Sequence, residues 1–371
     1  MKRAFLLVII AFFLLDSAVV SNATVNVSAK SAIVIDAHSG RVLFEKNAYE
    51  KRGMASTTKI MTALLVLEKG GLEEMVSVSP NAAGTEGSSI WLAPSEKISV
   101  NDLLYGLMLA SGNDAATALA EHTAGSVEAF TLLMNRKAKE IGAYNTNFTN
   151  PHGLPDKEHY TTAYDLALIA REAMKNKQFA SIVATKNKTI SWEGSEWKRS
   201  LGNHNKLLKR YEYATGIKTG FTKKDGRCLV SSAEKDGRLH ICVTLNAPDD
   251  WNDHIAMHEY CFETFKAHTV CKGGNSAGIF KNDKYECDDV KLLFEFDFVV
   301  SLKEDEKDKI KIKKSLSVNY PVTEGQKVGR ADIFCGEVLL GSVDLISGND
   351  AYIKEVFTSV FIKLAKGILK Q

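Results

Sequence analysis

Two short apolar-rich runs near the start of the chain, Ala32 to Asp36 and Arg41 to Glu45, flank His38-Ser39-Gly40, and this spacing predicts a β-hairpin. The next pattern is longer. From Ser56 the chain reads Ser-Thr-Thr-Lys-Ile-Met-Thr-Ala-Leu-Leu-Val-Leu-Glu-Lys and stops at Gly70-Gly71, so a hydroxyl start and a glycine end predict a helix. It is apolar nearly all round, which marks it as buried. Helical patterns recur at Val100 to Ala110, Asp114 to His122, Val127 to Ile141, Tyr164 to Lys175 and Trp251 to Ala267. Strand patterns return at Cys228 to Ala233 and Leu239 to Leu245, joined by Asp236-Gly237, a strong hairpin signal. Hairpin, helices, then hairpin and helix predict an α+β domain in which helices pack on an antiparallel sheet.

The pattern changes at Lys272-Gly273-Gly274-Asn275-Ser276-Ala277-Gly278, a small and flexible stretch that predicts a domain boundary. Beyond it, alternating runs at Val290 to Leu302, Lys309 to Lys313 and Arg330 to Val343 predict a small all-β domain. The last segment, Tyr352 to Lys370, places Ile353, Val356, Phe357, Val360, Phe361, Leu364 and Ile368 on one helical face and most of its lysines on the other. Such a basic amphipathic helix predicts an anchor lying in the plane of a membrane surface. The chain begins with Lys2-Arg3, an apolar run from Ala4 to Leu15 and small residues ending at Ala23, the order of a secretory signal peptide. The run is shorter than the ~20 residues a spanning helix needs. The expected organisation is a signal peptide over 1–23, the larger α+β domain over 24–272, a small β-rich domain over 279–350 and an amphipathic helix over 351–371.

Charge and cysteine content narrow the setting. The net charge is +2 with both signs interspersed, so nucleic acid is not an expected partner. Export places six cysteines in an oxidising compartment, yet Cys228, Cys242, Cys261, Cys271, Cys287 and Cys335 match no compact disulfide framework and contain no Cys-x-x-Cys pair. They read as unpaired or partly paired. His254 and His258 are four apart on a predicted helix with Glu259 and Cys261 nearby, but there is no His-Glu-x-x-His and no third ligand is apparent, so no metal site is expected.

Three short segments carry candidate chemistry. Ser56 and Lys59 are three apart, so on a helix they share a face, and burial of the lysine would lower its pKa enough to take the serine proton. Ser111-Gly112-Asn113 offers a hydroxyl and an amide on a loop, although serine, glycine and asparagine also suit a plain helix cap. Gly216-Ile217-Lys218-Thr219-Gly220-Phe221-Thr222 offers a cation and a hydroxyl suited to a carboxylate, and the glycine after Thr219 would let another chain lie close against this segment. Alone, each has an ordinary structural explanation.

Together, Ser-x-x-Lys, Ser-x-Asn and Lys-Thr-Gly in this order form the set of penicillin-binding proteins and class A β-lactamases. The chain resembles the low-molecular-mass penicillin-binding proteins, specifically the serine D-alanyl-D-alanine carboxypeptidases of peptidase family S11. Ala55 to Ala63, Ser111 to Ala116, Asn150-Pro151-His152-Gly153-Leu154 and Thr162 to Ala167 support the resemblance, which runs from about Ser31 to Lys266 and more weakly to the tail. It implies a penicillin-binding, β-lactamase-like domain and acyl transfer on a peptidoglycan stem peptide ending in D-Ala-D-Ala. Ser56 would be the nucleophile, Lys59 its base and Ser111 the proton relay to the leaving amine. Asn113 would hold the peptide, the backbone N–H groups of Ser56 and Phe221 would form the oxyanion hole, and Lys218, Thr219 and Gly220 would line the site for the terminal carboxylate. No cofactor or metal is implied, β-lactams are the implied covalent inhibitors, and the implied location is the cell envelope, on the outer face of the cytoplasmic membrane. His204-Asn205-Lys206 resembles a His-Asn-Arg segment of some relatives, with lysine in place of arginine.

A class A β-lactamase would need a glutamate-held water, and no Glu-x-x-Leu-Asn lies between the second and third motifs. A D-Ala cross-link endopeptidase would use the same residues as the carboxypeptidase. A non-catalytic penicillin-binding envelope scaffold would not need Ser56, Lys59 and Lys218 intact.

Overall fold

A computed structural model describes residues 25–282 and 286–353. The predicted signal peptide and nearly all of the C-terminal amphipathic segment lie outside the described residues. The strands in chain order are β1 (Ser31–Asp36), β2 (Val42–Lys46), β3 (Met75–Ser77), β4 (Lys97–Ser99), β5 (Asn187–Ile190), β6 (Arg199–Gly202), β7 (Ala214–Thr222), β8 (Gly226–Lys235), β9 (Arg238–Leu245), β10 (Lys266–Cys271), β11 (Ser276–Phe280), β12 (Val290–Phe294), β13 (Phe298–Leu302), β14 (Ile310–Leu316), β15 (Lys327–Cys335) and β16 (Val338–Ser347).

Strands β2-β1-β9-β8-β7 form one antiparallel sheet, so the two predicted hairpins join through β1 and β9 and β7 is left at an edge. Alternation assigns the two faces. Ile33, Ile35, Ile241 and Val243 point into the larger core with the helices, whereas Val34 and Cys242 point to the opposite face with Met257 and Cys261 of the helix Asp250–Thr264. The helix Lys59–Lys69 runs through the larger core, buried along most of its length, and packs on the helices Val100–Met108, Asn113–Ala124 and Ala163–Met174. Local chemistry fixes the ends. Ser99, Ser126 and Thr162 accept the N–H groups of Asp102, Ala129 and Asp165 at 3.1, 3.1 and 3.0 Å, satisfying otherwise orphaned donors.

The β-rich lobe is built differently from the sequence reading. The run Val290 to Leu302 divides into β12 and β13, which belong to different sheets, and Arg330 to Val343 divides into the hairpin β15–β16. The helix expected to reach Ala267 stops at Thr264, because β10 begins at Lys266 and pairs with β13. The change of architecture therefore falls near Phe265, ahead of the Lys272–Gly278 stretch, much of which is the turn into β11. Buried polar contacts join the lobes: Asp36 Oδ2 accepts from Ser301 Oγ at 2.6 Å, His240 Nε2 lies 3.2 Å from the same hydroxyl, and Arg41 pairs with Glu306 at 2.5 Å. All six cysteines are unpaired.

Candidate active site

Ser56 does not open the α-helix as its spacing predicts; it sits in a 3₁₀ turn, Ala55–Thr58, that leads into Lys59–Lys69. The cause is local. Ala55 has a φ of +46°, the hydroxyls of Thr57 and Thr58 donate to the carbonyls of Met54 and Ala55 at 2.5 and 2.8 Å, and these bonds hold the tight turn. Two glycines let other segments press against it. A Cβ on Gly153 would lie 1.9 Å from the Ala55 carbonyl oxygen, and one on Gly220 would lie 3.0 Å from the Ser56 nitrogen. Gly220 allows a close approach, but what presses against it in this structure is the nucleophile turn of the same chain rather than another chain.

Lys59 is fully buried. Its Nζ lies 3.0 Å from Ser56 Oγ, 2.7 Å from Asn113 Oδ1 and 2.6 Å from the His152 carbonyl. Burial lowers its pKa well below the ordinary lysine value, and the Lys218 charge lowers it further, with Asp114 opposing. An uncharged amine has two hydrogens and one lone pair. The two carbonyl oxygens can only accept, so they take the hydrogens, and the lone pair is directed to the Ser56 hydroxyl. This is the arrangement a serine needs to lose its proton on attack. Burial also holds His152 and His159 neutral, at about 3 and about 4.

The other motif residues converge on the same place, in two layers. Ser56, Ser88, Ser111, Thr219, Gly220 and Phe221 line a groove of about 360 Å³, together with His204, Lys206, Arg227, Asp250 and Trp251. Ser111, at φ +63°, lines the groove together with Ser56, whereas Lys59, Asn113 and Lys218 are buried and do not line it. Both ends of the Asn113 amide are engaged, Oδ1 by Lys59 and Nδ2 by the Glu86 carbonyl at 2.5 Å, so its contacts in this structure position Lys59 rather than reach the groove. Lys218 donates to the Thr219 carbonyl at 3.0 Å, and its pKa falls to about 7 through burial. Thr219, the next residue, lines the groove.

Sequence reasoning missed Arg227, Asp250 and Trp251. Arg227 stands opposite Phe221 in the β7–β8 ladder, and its Nε and Nη2 grip Asp250 Oδ1 at 3.1 and 2.7 Å. A signal was present: Asp225-Gly226 between two strand-like runs marks a hairpin that brings Arg227 back to the Lys-Thr-Gly strand.

The pair His254 and His258 does acquire a third neighbour, Cys242, with ligand atoms all within 4.8 Å of one another, on the sheet face away from the larger core. Ser231 Oγ sits between the two rings, 2.6 Å from His254 Nδ1 and 2.8 Å from His258 Nε2, and Thr244 Oγ1 lies 2.9 Å from His254 Nε2. Hydroxyls alternating with neutral imidazoles satisfy most of this buried cluster.

An edge strand, a serine at a helix-leading turn, a buried uncharged lysine and a second serine lining the groove define a serine hydrolase of the acyl-transfer class. Residues 17–249 match the family described as D-alanyl-D-alanine carboxypeptidase, and residues 265–352 match the penicillin-binding protein 5 C-terminal domain. The chain is 36% identical over 314 residues to D-alanyl-D-alanine carboxypeptidase DacF of Bacillus subtilis, covering 81% of this chain and 80% of that one. It superposes on penicillin-binding protein 5 of Haemophilus influenzae with a TM-score of 0.70 at 27% identity, covering 88% of this chain and 98% of that one. For the D-alanyl-D-alanine carboxypeptidase DacD of Francisella tularensis the TM-score is 0.66 at 26% identity, over 91% and 97% of the two chains. The chain belongs to the serine D-alanyl-D-alanine carboxypeptidases of peptidase family S11.

Proposed function

We propose that this protein removes the terminal D-alanine from peptidoglycan stem peptides through an acyl-enzyme on Ser56. The observation that carries the reading is the Lys59 amine, whose two fixed carbonyl partners leave its lone pair for Ser56 Oγ. Ser56 Oγ attacks the carbonyl between the two D-alanines while Lys59 takes its proton. The negative charge that develops on the carbonyl oxygen is received by the backbone N–H groups of Ser56 and Phe221, where β7 presses against the turn. Ser111 passes a proton to the departing amine of D-alanine. Water then attacks the ester, Lys59 again accepting the proton, and releases the shortened peptide with Ser56 restored. The edge of β7 gives an extended peptide a strand to lie along. Thr219 supplies a hydroxyl to the terminal carboxylate, and Lys206 and Arg227 supply the cations that line the groove.

A β-lactam placed in the same groove would acylate Ser56 and leave an ester that water reaches slowly. We further propose that the protein is exported to the cell envelope, its amino-terminal 23 residues serving as the signal, and that the basic amphipathic segment from Tyr352 to Lys370 lies on the outer face of the cytoplasmic membrane. Release of D-alanine from diacetyl-L-Lys-D-Ala-D-Ala, beside a Ser56→Ala control and labelling by fluorescent penicillin, tests the chemistry. Both signals present and both lost in the control is the expected result; labelling without release would overturn the carboxypeptidase reading. Residues 351–353 pair with the β-rich lobe rather than starting a helix, Ala351 with Val322 and Ile353 with Cys287; removing Lys354 to Gln371 should therefore free the protein from membranes with its activity kept, and continued sedimentation with membranes would sink the anchor.

A further inference from the structure

Three of the four tryptophans in the chain, Trp91, Trp192 and Trp197, are brought to one region beside the groove, and Trp91 and Trp197 are 77% and 80% exposed. A lone exposed indole needs no explanation. The backbone beneath Trp91 does, because its φ of +62° is costly for a bulky residue and persists only where the surroundings enforce it. Those surroundings are fastened. The buried Asp114 carboxylate accepts from Ser89 Oγ at 2.6 Å, Ile90 N at 3.0 Å and Leu92 N at 3.1 Å. Buried Arg199 donates to the Trp91 carbonyl at 2.9 Å and pairs with Glu96 at 2.5 and 2.7 Å. The same guanidinium lies 4.5 Å from the centre of the Trp192 ring, and Trp197 stands two residues before it at the tip of the β5–β6 hairpin. The backbone of Lys97 donates to Glu193 and ties that tip to β4.

Both supports run into the catalytic groove. The loop under Trp91 includes Ser88, and β6 leads from Arg199 through Gly202 to His204 and Lys206. We infer that this rim is a carbohydrate platform, on which indole faces stack against the C–H faces of the pyranose rings that carry a stem peptide; the inference rests on the stem-peptide reading of the groove. An indole face is electron-rich and a sugar C–H face is its electropositive, apolar complement, and a pre-fixed tryptophan loses little entropy on contact. The dimensions agree. Three residues from Ser88 to Trp91 reach at most ~10 Å, and four stem residues behind the reacting carbonyl extend up to ~14 Å, so the sugar arrives beyond the groove while the D-Ala end is at Ser56. Exposed Glu196 between Trp192 and Trp197 supplies an acceptor for sugar hydroxyls, and Glu193 and Glu196 offset the neighbouring Lys97 and Lys198, so this rim has no excess of positive charge to draw an anionic lipid surface.

The test compares D-alanine release by the full chain from a disaccharide-linked pentapeptide and from the sugar-free tripeptide, with the chitotetraose response, its binding, measured by titration calorimetry. Trp91→Ala should lower the ratio of kcat/KM on the linked over the free substrate about threefold to tenfold and weaken the chitotetraose response, with Trp91→Phe restoring most of both. An unchanged ratio, or equal loss on both substrates with Trp91→Phe no better, would overturn the platform and leave a structural role for the loop. A Trp91→Ala protein that keeps its chitotetraose response but loses binding to phosphatidylglycerol vesicles would overturn it in favour of a lipid contact. If the unaltered chain releases D-alanine from neither substrate, the stem-peptide reading fails by itself, and a chitotetraose response lost in Trp91→Ala still supports a sugar-binding rim.

Discussion

At Lys59 one proton decides the chemistry. The amine is useful only when uncharged, and desolvation followed by the nearby Lys218 charge moves its pKa down toward working pH. A base with a lowered pKa is competent above that pKa and fails as pH falls through it, so acylation by fluorescent penicillin should decline on the acid side with a slope of one proton. Lys218→Met removes one of the two effects that lower it and should move that acid limb to higher pH; an unmoved limb would show that Lys59 does not sense Lys218. Arginine at position 59 stays charged at every accessible pH. Lys59→Arg is therefore expected to reduce acylation by at least about a thousandfold across the whole pH range, and recovery at high pH would contradict a proton-accepting role. Asn113→Ala withdraws one of the two acceptors that orient the amine. Its expected loss of acylation is about tenfold to a hundredfold, with tripeptide KM changed less than kcat, because the Asn113 amide contacts Lys59 and the Glu86 carbonyl.

The turn that presents Ser56 is held from outside by two glycines, so the element-scale prediction concerns them. Gly153 has a φ of +92° and no space for a Cβ against Ala55, hence Gly153→Ala must shift the turn or unfold it. A destabilisation of about 1–3 kcal/mol in thermal unfolding and loss of most penicillin labelling are expected, and a variant that labels normally would show that the turn is not set by this contact. Gly153 also shows what the sequence could and could not tell. The helix Val127–Ile141 was legible because its period, its serine cap and its closing Gly142 all lie in one stretch. The Ser-x-x-Lys, Ser-x-Asn and Lys-Thr-Gly segments were legible for the same reason, each being local. Arg227 and the His152 carbonyl were not, since each joins the site through pairing or looping between distant segments. The same cause explains the β-rich lobe. Lys266 and Ala267 read locally as the end of a helix and become the start of a strand only because Phe298–Leu302 is there to pair with them.

Across the whole molecule, burial pushes five imidazoles far below their ordinary pKa, four of them enclosed and His152 partly so. His152, His240 and His258 are pushed to about 3, His159 to about 4 and His254 well below its ordinary value, in each case chiefly by burial. Their positions span the fold: His152 and His159 brace the nucleophile turn, His254 and His258 lie on the sheet-facing side of the helix Asp250–Thr264, and His240 meets Ser301 where the lobes join. The sign follows from proton counts. Below about 6.5 an unfolded chain protonates all five, while the native chain keeps them neutral until pH approaches 4, so stability is full above 6.5 and falls as pH drops toward 4. Each imidazole contributes up to about 1.4 kcal/mol per pH unit in that window. Asp102, Asp165 and Asp250 work the other way, since burial raises their pKa values and the native state gains protons first, but they act nearer the ordinary carboxylate range. Five histidines acting together can exhaust a stability of about 5–15 kcal/mol within two to three pH units. Cooperative acid unfolding is therefore expected between about pH 5 and 4, with a urea midpoint already falling between pH 7 and 5. His240→Gln should remove one proton from that slope and leave the lobes joined through Asp36 and Ser301 at pH 5. A urea midpoint that stays level from pH 7 to 5 would mean that the imidazoles take up protons without unfolding the chain, and that their burial is looser than the packing around them.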